Sequence, residues 1–407
     1  MSGIKVTREN IDHALGFTDS IVNNFPRRLA GSDSCLRAGK AIADEFSRTC
    51  DRGSVKTEEF TFHPRAFLKY IRFEVVIYLV SLALVFLHKP VIAGVLLSAG
   101  ICVFVSQFVF YRELFDPFFP EAAGLNVYGS IEPEKEVKQQ IILCGHHDAA
   151  YVFHYLSSST KYYPLFIVAG IAPVLISFIL ILVMVISGKS PLWMPVAMAV
   201  MSVGVIPLWF FTTDEVSPGA GDNMIAVALA NEAGKIFSGL KKEKNNPLQH
   251  TRLICCSVDA EECGLRGSRY FARTHKKDMT GTKTYAFCFD TLYKADKLIF
   301  FNNDLNLTVD LSDRMAHELK EIAAGLGYGV RVTRMPWGGG STDAASFAQQ
   351  GIEATCMLSF EIDITKLDAD FVYHTAKDVA GSIQPRCVEQ ALNVIVEYVQ
   401  KKDAEVS

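Results

Sequence analysis

Polar and apolar positions divide the chain into long uncharged segments and shorter amphipathic ones. Two regions are almost wholly apolar, one from about Phe67 to Tyr111 and one from about Tyr163 to Phe211. A bilayer-spanning helix needs about 20 apolar residues. Three uncharged runs reach that length: Val91–Tyr111, Tyr163–Gly188 and Pro191–Thr213.

A fourth run, Val75–Leu87, is shorter. It could span a bilayer only together with the residues before it, with the charged end of Arg72 extended to the membrane interface. We therefore predict four inserted transmembrane helices, arranged as hairpin 1 (residues 67–111) and hairpin 2 (residues 163–211). The alternative is a set of buried core helices, but a soluble core helix rarely stays uncharged over such a length.

Outside the hairpins, residues 1–66, 112–162 and 212–407 alternate short apolar runs with amphipathic stretches. The predicted strands are Val55–Phe62, Leu125–Ile131, Gln140–Cys144, Arg252–Val258, Tyr285–Phe289, Lys297–Phe301, Val330–Thr333 and Ala354–Leu358. The predicted helices are Arg8–Asn24, Ser34–Arg48, Asp222–Ser238, Leu265–Thr274, Ser312–Leu326, Thr342–Gln350 and Pro385–Lys401. This alternation predicts an α/β domain with a mostly parallel central sheet and helices on both faces.

Each hairpin returns the chain to the side on which it began, so the α/β domain should lie on one side of the membrane. Basic residues favour that side: Arg65, Lys69, Arg72, Arg112 and Lys161 flank the hairpins, against His88, Lys89 and Lys189 at their tips. The N-terminal segment MSGIKVTRENIDHALG has no apolar stretch typical of a signal peptide. Both observations predict a multi-pass membrane protein whose polar domain is cytoplasmic.

Composition narrows the functional classes. Half of the residues are apolar and the mean hydropathy is +0.21, which agrees with membrane segments. The net charge of −4 gives no basic surface for a nucleic acid. The ten cysteines contain no CxxC pair, and several lie in apolar runs, which favours a reducing compartment over a disulfide framework.

Candidate chemistry collects where apolar strands end. The run IILCG is followed by His146, His147 and Asp148; LICCSV is followed by Asp259, Glu261 and Glu262; and YAFCF is followed by Asp290. The segments GAGDN and FVYHTAKD add Asp222, His374 and Asp378. Carboxyl ends of strands line the ligand crevice of open α/β sheets, so these groups should meet there.

Imidazole nitrogens and carboxylate oxygens are ligands that zinc accepts, and there are enough carboxylates for two metals with one shared. Two such metals can activate water and polarise a carbonyl group together. Adjacent side chains diverge, so of Glu261 and Glu262 one should bind metal while the other acts as general base. Spacing alone does not decide which does which.

The ordered segments GHHDA, GAGDN, EECGLRGSRYF, FCFDTL and YHTAKD resemble the M28 family of zinc peptidases, which includes dizinc aminopeptidases. FPRRLAGSDS resembles the opening segment of that family. The resemblance covers about Arg8–His63 and Leu125–Lys401, apart from hairpin 2. It implies a zinc-exopeptidase-like fold that hydrolyses N-terminal residues from peptide substrates.

Carried over to this sequence, the resemblance implies two zinc ions, although the same ligands accept other divalent metals. His146 and Asp290 would bind one ion, Glu262 and His374 the other, and Asp222 would bridge them. Glu261 would be the general base, and Asp148 would orient His146.

The chain departs from the family pattern at two positions near this site. Gly221 replaces a common second acid, which we expect to matter little. A Ser-Asp-His motif of the family reads Ser341-Thr342-Asp343-Ala344 here, and the missing histidine argues against a substrate contact from that loop. The glycine run of WGGGST should still form a flexible loop near the site.

We predict a membrane-embedded dizinc aminopeptidase whose partners are a peptide substrate and the lipid bilayer. Hydrolysis of another amide, such as an N-acyl amino acid or a dipeptide, is a near alternative. A glutaminyl-cyclase-like transferase, a non-catalytic membrane scaffold and a transporter are further alternatives. Residue preference and oligomeric state are not readable from the sequence.

Overall fold

The computed structural model describes residues 4–243, 246–362 and 371–407. Its strands are β1 (Lys56–Phe62), β2 (Ala122–Ile131), β3 (Gln139–His146), β4 (Tyr151–Phe153), β5 (Thr212–Val216), β6 (Thr251–Val258), β7 (Lys283–Leu292), β8 (Leu298–Asp304), β9 (Val309–Asp310), β10 (Val330–Arg334) and β11 (Glu353–Ser359). Its α-helices are α1 (Arg8–Asn24), α2 (Asp33–Thr49), α3 (Tyr70–Phe86), α4 (Pro90–Phe104), α5 (His154–Ser158), α6 (Tyr163–Ser187), α7 (Trp193–Val205), α8 (Ile225–Lys242), α9 (Arg266–Thr274), α10 (Lys276–Gly281), α11 (Asp313–Gly325), α12 (Asp343–Ala348) and α13 (Pro385–Val406).

Within the described residues, one sheet contains the strands in the order β1-β2-β6-β3-β7-β11-β8-β10, with β9 paired to β8. Its centre, β6-β3-β7-β11, is parallel, whereas β1, β2 and β8 pair antiparallel with their neighbours toward the centre. Strand β3 is buried along its whole length, as expected for a parallel strand covered on both faces. The predicted α/β fold with a mostly parallel central sheet is confirmed.

Helices cover the sheet on both sides. Helices α1, α2, α8, α11 and α13 pack on one face, where their apolar residues form the larger core. Helices α9, α10 and α12 contribute to a smaller core on the other face, through residues such as Phe271, Met279 and Phe347. The sheet is therefore the middle of three layers, and its strand ends are left to line a crevice.

The predicted hairpin regions form helices α3, α4, α6 and α7, which pack into one bundle around their own apolar core. The Tyr78 hydroxyl joins α3 to the other hairpin by bonding the Ser177 hydroxyl at 3.0 Å and the Met198 carbonyl oxygen at 2.7 Å. Many large apolar side chains of these helices, such as Val95, Ile179 and Val203, point outward. An apolar outer surface of this extent is typical of a membrane contact.

Three helical segments are long and apolar enough to cross a membrane: Pro90–Val109, Thr160–Ser187 and Trp193–Phe210. Helix α3 is too short to meet the same length, so four spanning helices are not confirmed. Glu74 on α3 is partly buried beside Gly100 of α4, where a β-carbon would lie 2.4 Å from its carboxylate. Gly100 therefore leaves the space that this acid occupies.

A two-stranded ribbon joins hairpin 2 to the α/β domain. Strands β4 and β5 pair antiparallel, with Tyr151 opposite Val216 and Phe153 opposite Thr212. The chain enters this ribbon three residues after Asp148 and leaves it shortly before Asp222. Both ends of hairpin 2 therefore begin at the same edge of the sheet as the candidate site residues. The sequence did not predict these short strands.

Candidate metal centre

Three neighbouring parallel strands deliver the first group of site residues. His146 ends β3, Asp290 lies near the end of β7, and Glu261 follows the end of β6. Since β3 pairs in parallel with both β6 and β7, the three carboxyl ends lie side by side. Ligand atoms of His146, Glu261 and Asp290 lie within 4.8 Å of one another.

The Asp222 carboxylate lies between two imidazoles. Its Oδ1 is 3.4 Å from His146 Nε2, and its Oδ2 is 3.1 Å from His374 Nε2. Asp222 was predicted as a helix start, but α8 begins at Ile225, and Asp222 has extended backbone angles of φ −124° and ψ 83°. This extended conformation turns the carboxylate into the space between the two histidines.

Glu261 and Glu262 face opposite imidazoles. Glu262 Oε1 is 3.2 Å from His374 Nε2, whereas Glu261 Oε2 is 3.8 Å from His146 Nε2. The chain turns sharply just before them, because Ala260 adopts a positive φ of 58° after β6 ends. The structure thus separates the two acids, which spacing alone could not do.

Asp148 supports both sides of this arrangement. Its two carboxylate oxygens accept the backbone N–H groups of Glu261 and Glu262, each at 3.1 Å. Its Oδ1 also lies 3.3 Å from His146 Nδ1, the ring nitrogen that faces away from Asp222. One buried acid therefore contacts the backbone of both glutamates and the ring of His146, as the predicted positioning role requires.

Asp378 has the equivalent position beside Asp222. It accepts the backbone N–H of Gly221 at 2.7 Å and that of Asp222 at 3.2 Å. From the sequence we named Asp378 in the YHTAKD segment but predicted no role for it. The only sequence signal was an acid four residues after His374.

The loop of the altered family motif also lies near the site. Thr342 donates its hydroxyl to Asp304 Oδ2 at 2.6 Å, which anchors the loop. Asp343 is buried and its Oδ1 has no hydrogen-bond partner within the described part of the chain. Burial raises the pKa of Asp343 well above its usual range, while His146 opposes that rise.

Burial dominates the electrostatics of the site. It raises the pKa of Glu261 well above the usual value and raises that of Asp290 to about 7. For Asp222 burial acts in the same direction, but bonding to His146 and His374 outweighs it and lowers the pKa. Burial opposes the protonation of His374, yet the neighbouring Glu262 and Asp222 raise its pKa to about 10.

These side chains fit divalent cations. Four carboxylates lie close together in a buried site, so each opposes the ionisation of others, and a cation would relieve that repulsion. His146 Nε2 is buried and lacks a hydrogen-bond partner within the described residues, although it faces Asp222. A second group of ligand atoms, from His146, Asp222 and Glu262, also lies within 4.8 Å. Nitrogen and oxygen donors of this kind suit zinc and similar metals.

Hairpin 2 is connected to this site through Phe153 of β4. The Phe153 N–H donates to the His374 carbonyl oxygen at 3.1 Å. Phe211, where the chain returns from the hairpin, packs on Phe153 with ring centroids 4.7 Å apart. The ends of the hairpin are therefore part of the packing around His374.

The base of hairpin 1 is fixed to α9, which begins four residues after Glu262. Arg266 forms a buried ion pair with Asp116 at 2.8 Å. Arg266 and Arg269 both donate to the carbonyl oxygen of Tyr111, the residue at which the apolar region ends. Both hairpins thus meet the α/β domain beside the candidate site.

All seven predicted site residues lie together in the structure: His146, Asp148, Asp222, Glu261, Glu262, Asp290 and His374. Their roles as ligands, base and positioning residue stay predictions. His147 and Asp259, which share the same strand ends, form a separate buried cluster with Cys35.

Residues 202–399 match the sequence profile of peptidase family M28. That match begins after His146 and Asp148, which are brought into the site by the fold. No curated protein matches the chain in sequence.

Several solved structures share the fold. A Zn-dependent exopeptidase from Parabacteroides distasonis has 14% identity and a TM-score of 0.54, with coverage of 97% of this chain and 99% of the other. An aminopeptidase from Aneurinibacillus sp. strain AM-1 has 14% identity and a TM-score of 0.54, covering 96% and 93%. A glutaminyl cyclase from Porphyromonas gingivalis has 13% identity and a TM-score of 0.56, covering 98% and 100%.

Proposed function

Residues 202–399 match the M28 peptidase family, and on that premise we propose that the chain is a membrane-embedded dizinc aminopeptidase. The observation that carries the proposal is the position of Asp222. One of its carboxylate oxygens faces His146 and the other faces His374, at 3.4 and 3.1 Å. A carboxylate that presents one oxygen to each of two imidazoles is suited to bridge two cations.

The ligand sets follow from the side chains on each side of Asp222. His146 and Asp290 would hold one ion, and Glu262 and His374 would hold the other. Metal ions at such ligands polarise an amide carbonyl group and make water more acidic. The ligands accept several divalent metals, and zinc is proposed because of the M28 domain.

Glu261 is the proposed general base. It lies on the same side as His146 and Asp290, but it is not needed to complete either ligand set. In hydrolysis the water oxygen bonds to the carbonyl carbon, Glu261 takes a proton from that water, and the carbon–nitrogen bond breaks. Glu261 then passes the proton to the leaving amine. Asp148 fixes the backbone of Glu261 and so holds its carboxylate in place.

The membrane location rests on the bundle of α3, α4, α6 and α7. Three of its helical segments have the length and composition to span a bilayer. Each hairpin begins and ends at the α/β domain, so we place that domain on one side of the membrane. We take that side as the cytoplasmic one, because more basic residues flank the domain ends of the hairpins than their tips.

The selectivity of the enzyme would follow from the position of the hairpins. The β4–β5 ribbon carries hairpin 2 and contacts His374, while hairpin 1 is tied to α9. The cleft would therefore open at the membrane surface and favour small, apolar or membrane-partitioned peptides. Equal rates for hydrophilic and hydrophobic peptides of the same length, with enzyme in detergent, would exclude this selectivity.

A comparison of three proteins tests the proposed reaction. We would measure metal content per chain and turnover on a panel of aminoacyl amides for the parent, Glu261→Gln and a control, Glu321→Gln. Glu321 is exposed on α11, away from the site. We expect two metals in the site of all three proteins and a turnover loss of about 10²- to 10⁴-fold for Glu261→Gln alone.

Other outcomes would select other functions. Release of ammonia from peptides with N-terminal glutamine, without hydrolysis of the chain, would indicate a cyclase. Cleavage of N-acyl amino acids in place of aminoacyl amides would indicate another amidohydrolase. Equal inactivity of the parent and Glu261→Gln on every substrate, with the metals bound, would favour a membrane scaffold.

A further inference from the structure

A second cluster of potential metal ligands lies next to the proposed catalytic centre and takes no part in it. It consists of Cys35, His147 and Asp259, and each residue is 0% exposed. One ligand atom from each lies within 4.8 Å of the other two. We propose that this cluster binds one divalent transition metal of the zinc class as a structural site, separate from the proposed catalytic pair.

The orientation of His147 is the main observation. Its Nδ1 bonds the Ser257 hydroxyl at 2.8 Å, which fixes the ring. Its Nε2 is buried and has no hydrogen-bond partner within the described residues. Leaving a buried imidazole nitrogen unpaired is unfavourable, and a metal ion would satisfy it. A second hydrogen bond that fixes the ring is typical of metal-binding histidines.

The other two donors complete a ligand set that zinc accepts. Cys35 Sγ lies 3.3 Å from Asp259 Oδ1, a separation that two ligands of one metal can have. Thiolate, imidazole and carboxylate donors together suit zinc and similar ions. None of the three residues is exposed, so a substrate from solvent has no access to the site. A small ligand such as water would fill the fourth position of a tetrahedral zinc.

Gly39 leaves room beside the free nitrogen. It lies one helical turn after Cys35 on α2, and a β-carbon there would be 3.2 Å from His147 Nε2. An alanine at this position would therefore fill part of the space in front of the imidazole while leaving all three ligands in place.

The bound ion would join α2 to two strand ends that carry proposed site residues. Cys35 belongs to α2, His147 follows the end of β3, and Asp259 follows the end of β6. His147 is flanked by His146 and Asp148, and Asp259 precedes Glu261 by two residues. A metal at this cluster would hold the ends of both strands against α2.

The alternative is a metal-free hydrogen bond in which the Cys35 thiol donates to Asp259. A serine at position 35 would preserve such a donor, so Cys35→Ser should then change nothing in the metal content. If the cluster binds metal, Cys35→Ser removes the thiolate ligand and weakens or abolishes the site.

The experiment uses full-length protein expressed in zinc-depleted medium supplemented with cobalt. Thiolate bound to Co²⁺ gives a near-ultraviolet charge-transfer band, whereas the proposed catalytic ligands contain no thiolate. We expect this band in the parent, in the catalytic-site variant His374→Ala and in Cys387→Ser, a control for a buried cysteine outside the cluster. We expect it to disappear in Cys35→Ser and to be weakened in Gly39→Ala, with one metal per chain lost from Cys35→Ser.

Absence of the band from the cobalt-loaded parent would overturn the proposal, as would a band that persists in Cys35→Ser. The proposal stays falsifiable even if a variant folds poorly, because the spectrum of the parent protein alone can show that no thiolate binds cobalt. The proposed function is tested separately, since His374→Ala should lose catalytic metal and turnover while keeping the thiolate band. A band in the parent with no catalytic metal would support this site and contradict the peptidase proposal.

Discussion

The Phe153 ring lies edge-on to the His374 imidazole, with ring centroids 4.3 Å apart and an interplanar angle of 85°. Phe153 ends β4, the strand through which the chain passes toward hairpin 2. A residue at the root of an apolar hairpin therefore helps to hold a proposed metal ligand. Through Phe153, which also packs on Phe211, hairpin 2 is linked to the candidate centre.

Phe153→Leu should weaken metal binding at the His374 side of the site. An aromatic pair contributes about 0.5–1.5 kcal/mol beyond the burial of its area, which corresponds to a loss of affinity of up to about tenfold. The measurement is a metal titration of the metal-free protein, followed by recovered turnover. Phe118→Leu is the control, because the Phe118 side chain is 82% exposed. An unchanged titration for Phe153→Leu would show that the contact has no effect on the site.

Asp148→Asn should weaken metal binding on both sides of the candidate centre. The acid accepts two backbone N–H groups and faces His146, whereas an asparagine offers one oxygen and turns an N–H₂ group toward one of these donors. Loss of such a supporting residue typically lowers metal affinity by about 10- to 100-fold. Metal titration and turnover would be compared with Asp44→Asn, an exposed acid on α2. Equal behaviour of the two variants would contradict the positioning role of Asp148.

Gly221→Ala should destabilise the protein, although we expected the loss of the family's acid at this position to matter little. A β-carbon there would lie 1.9 Å from Tyr293 Cε1, so the ring or the Asp222 segment must move. Overpacking of this kind costs about 1–3 kcal/mol in the free energy of unfolding. Displacement of Asp222 should also reduce the metal content.

Gly239→Ala is the matched control for this change, since its β-carbon would meet no atom within 4 Å. Denaturant or thermal unfolding in detergent measures the difference. If Gly221→Ala were as stable and as rich in metal as Gly239→Ala, the packing argument would be wrong.

Removal of metal should destabilise the protein, and by more at about pH 8 than at about pH 6. A ligand at 1,000 times its Kd contributes about 4 kcal/mol of stability. Without metal, the pKa of Asp290 is raised to about 7 and that of His374 to about 10, so near pH 6 both groups hold protons that a metal must displace. As pH rises fewer protons compete, and metal stabilisation grows.

The measurement is the unfolding temperature with saturating zinc and with a chelator at both pH values. If zinc raised the unfolding temperature equally at both pH values, or more at pH 6, the assigned ligands would be contradicted.

Much of the fold and site could be predicted from sequence, because apolar runs that end in acids and histidines mark the carboxyl ends of buried strands. Helix α1 was predicted with its observed bounds, and β3, β6 and β7 within a few residues. The residues at those ends, such as His146 and Asp290, therefore had to lie at one edge of the sheet.

Other features depend on contacts between distant parts of the chain, which local patterns do not contain. Strand β4 has three residues, too few for a recognisable alternation, so the contact of Phe153 with His374 could not be predicted. The fit of Gly221 against Tyr293 and the bonds from Asp378 to the Asp222 segment are likewise products of tertiary packing. Helix α8 begins later than predicted because Asp222 leaves the helical conformation to reach both histidines.

The most direct test of the central claim is an anomalous difference map, collected at the zinc absorption edge from crystals of the zinc-loaded protein. The account predicts two peaks about 3.5–4 Å apart, one on each side of the Asp222 carboxylate. A single peak beside Asp222, or none there in the zinc-loaded protein, would contradict it.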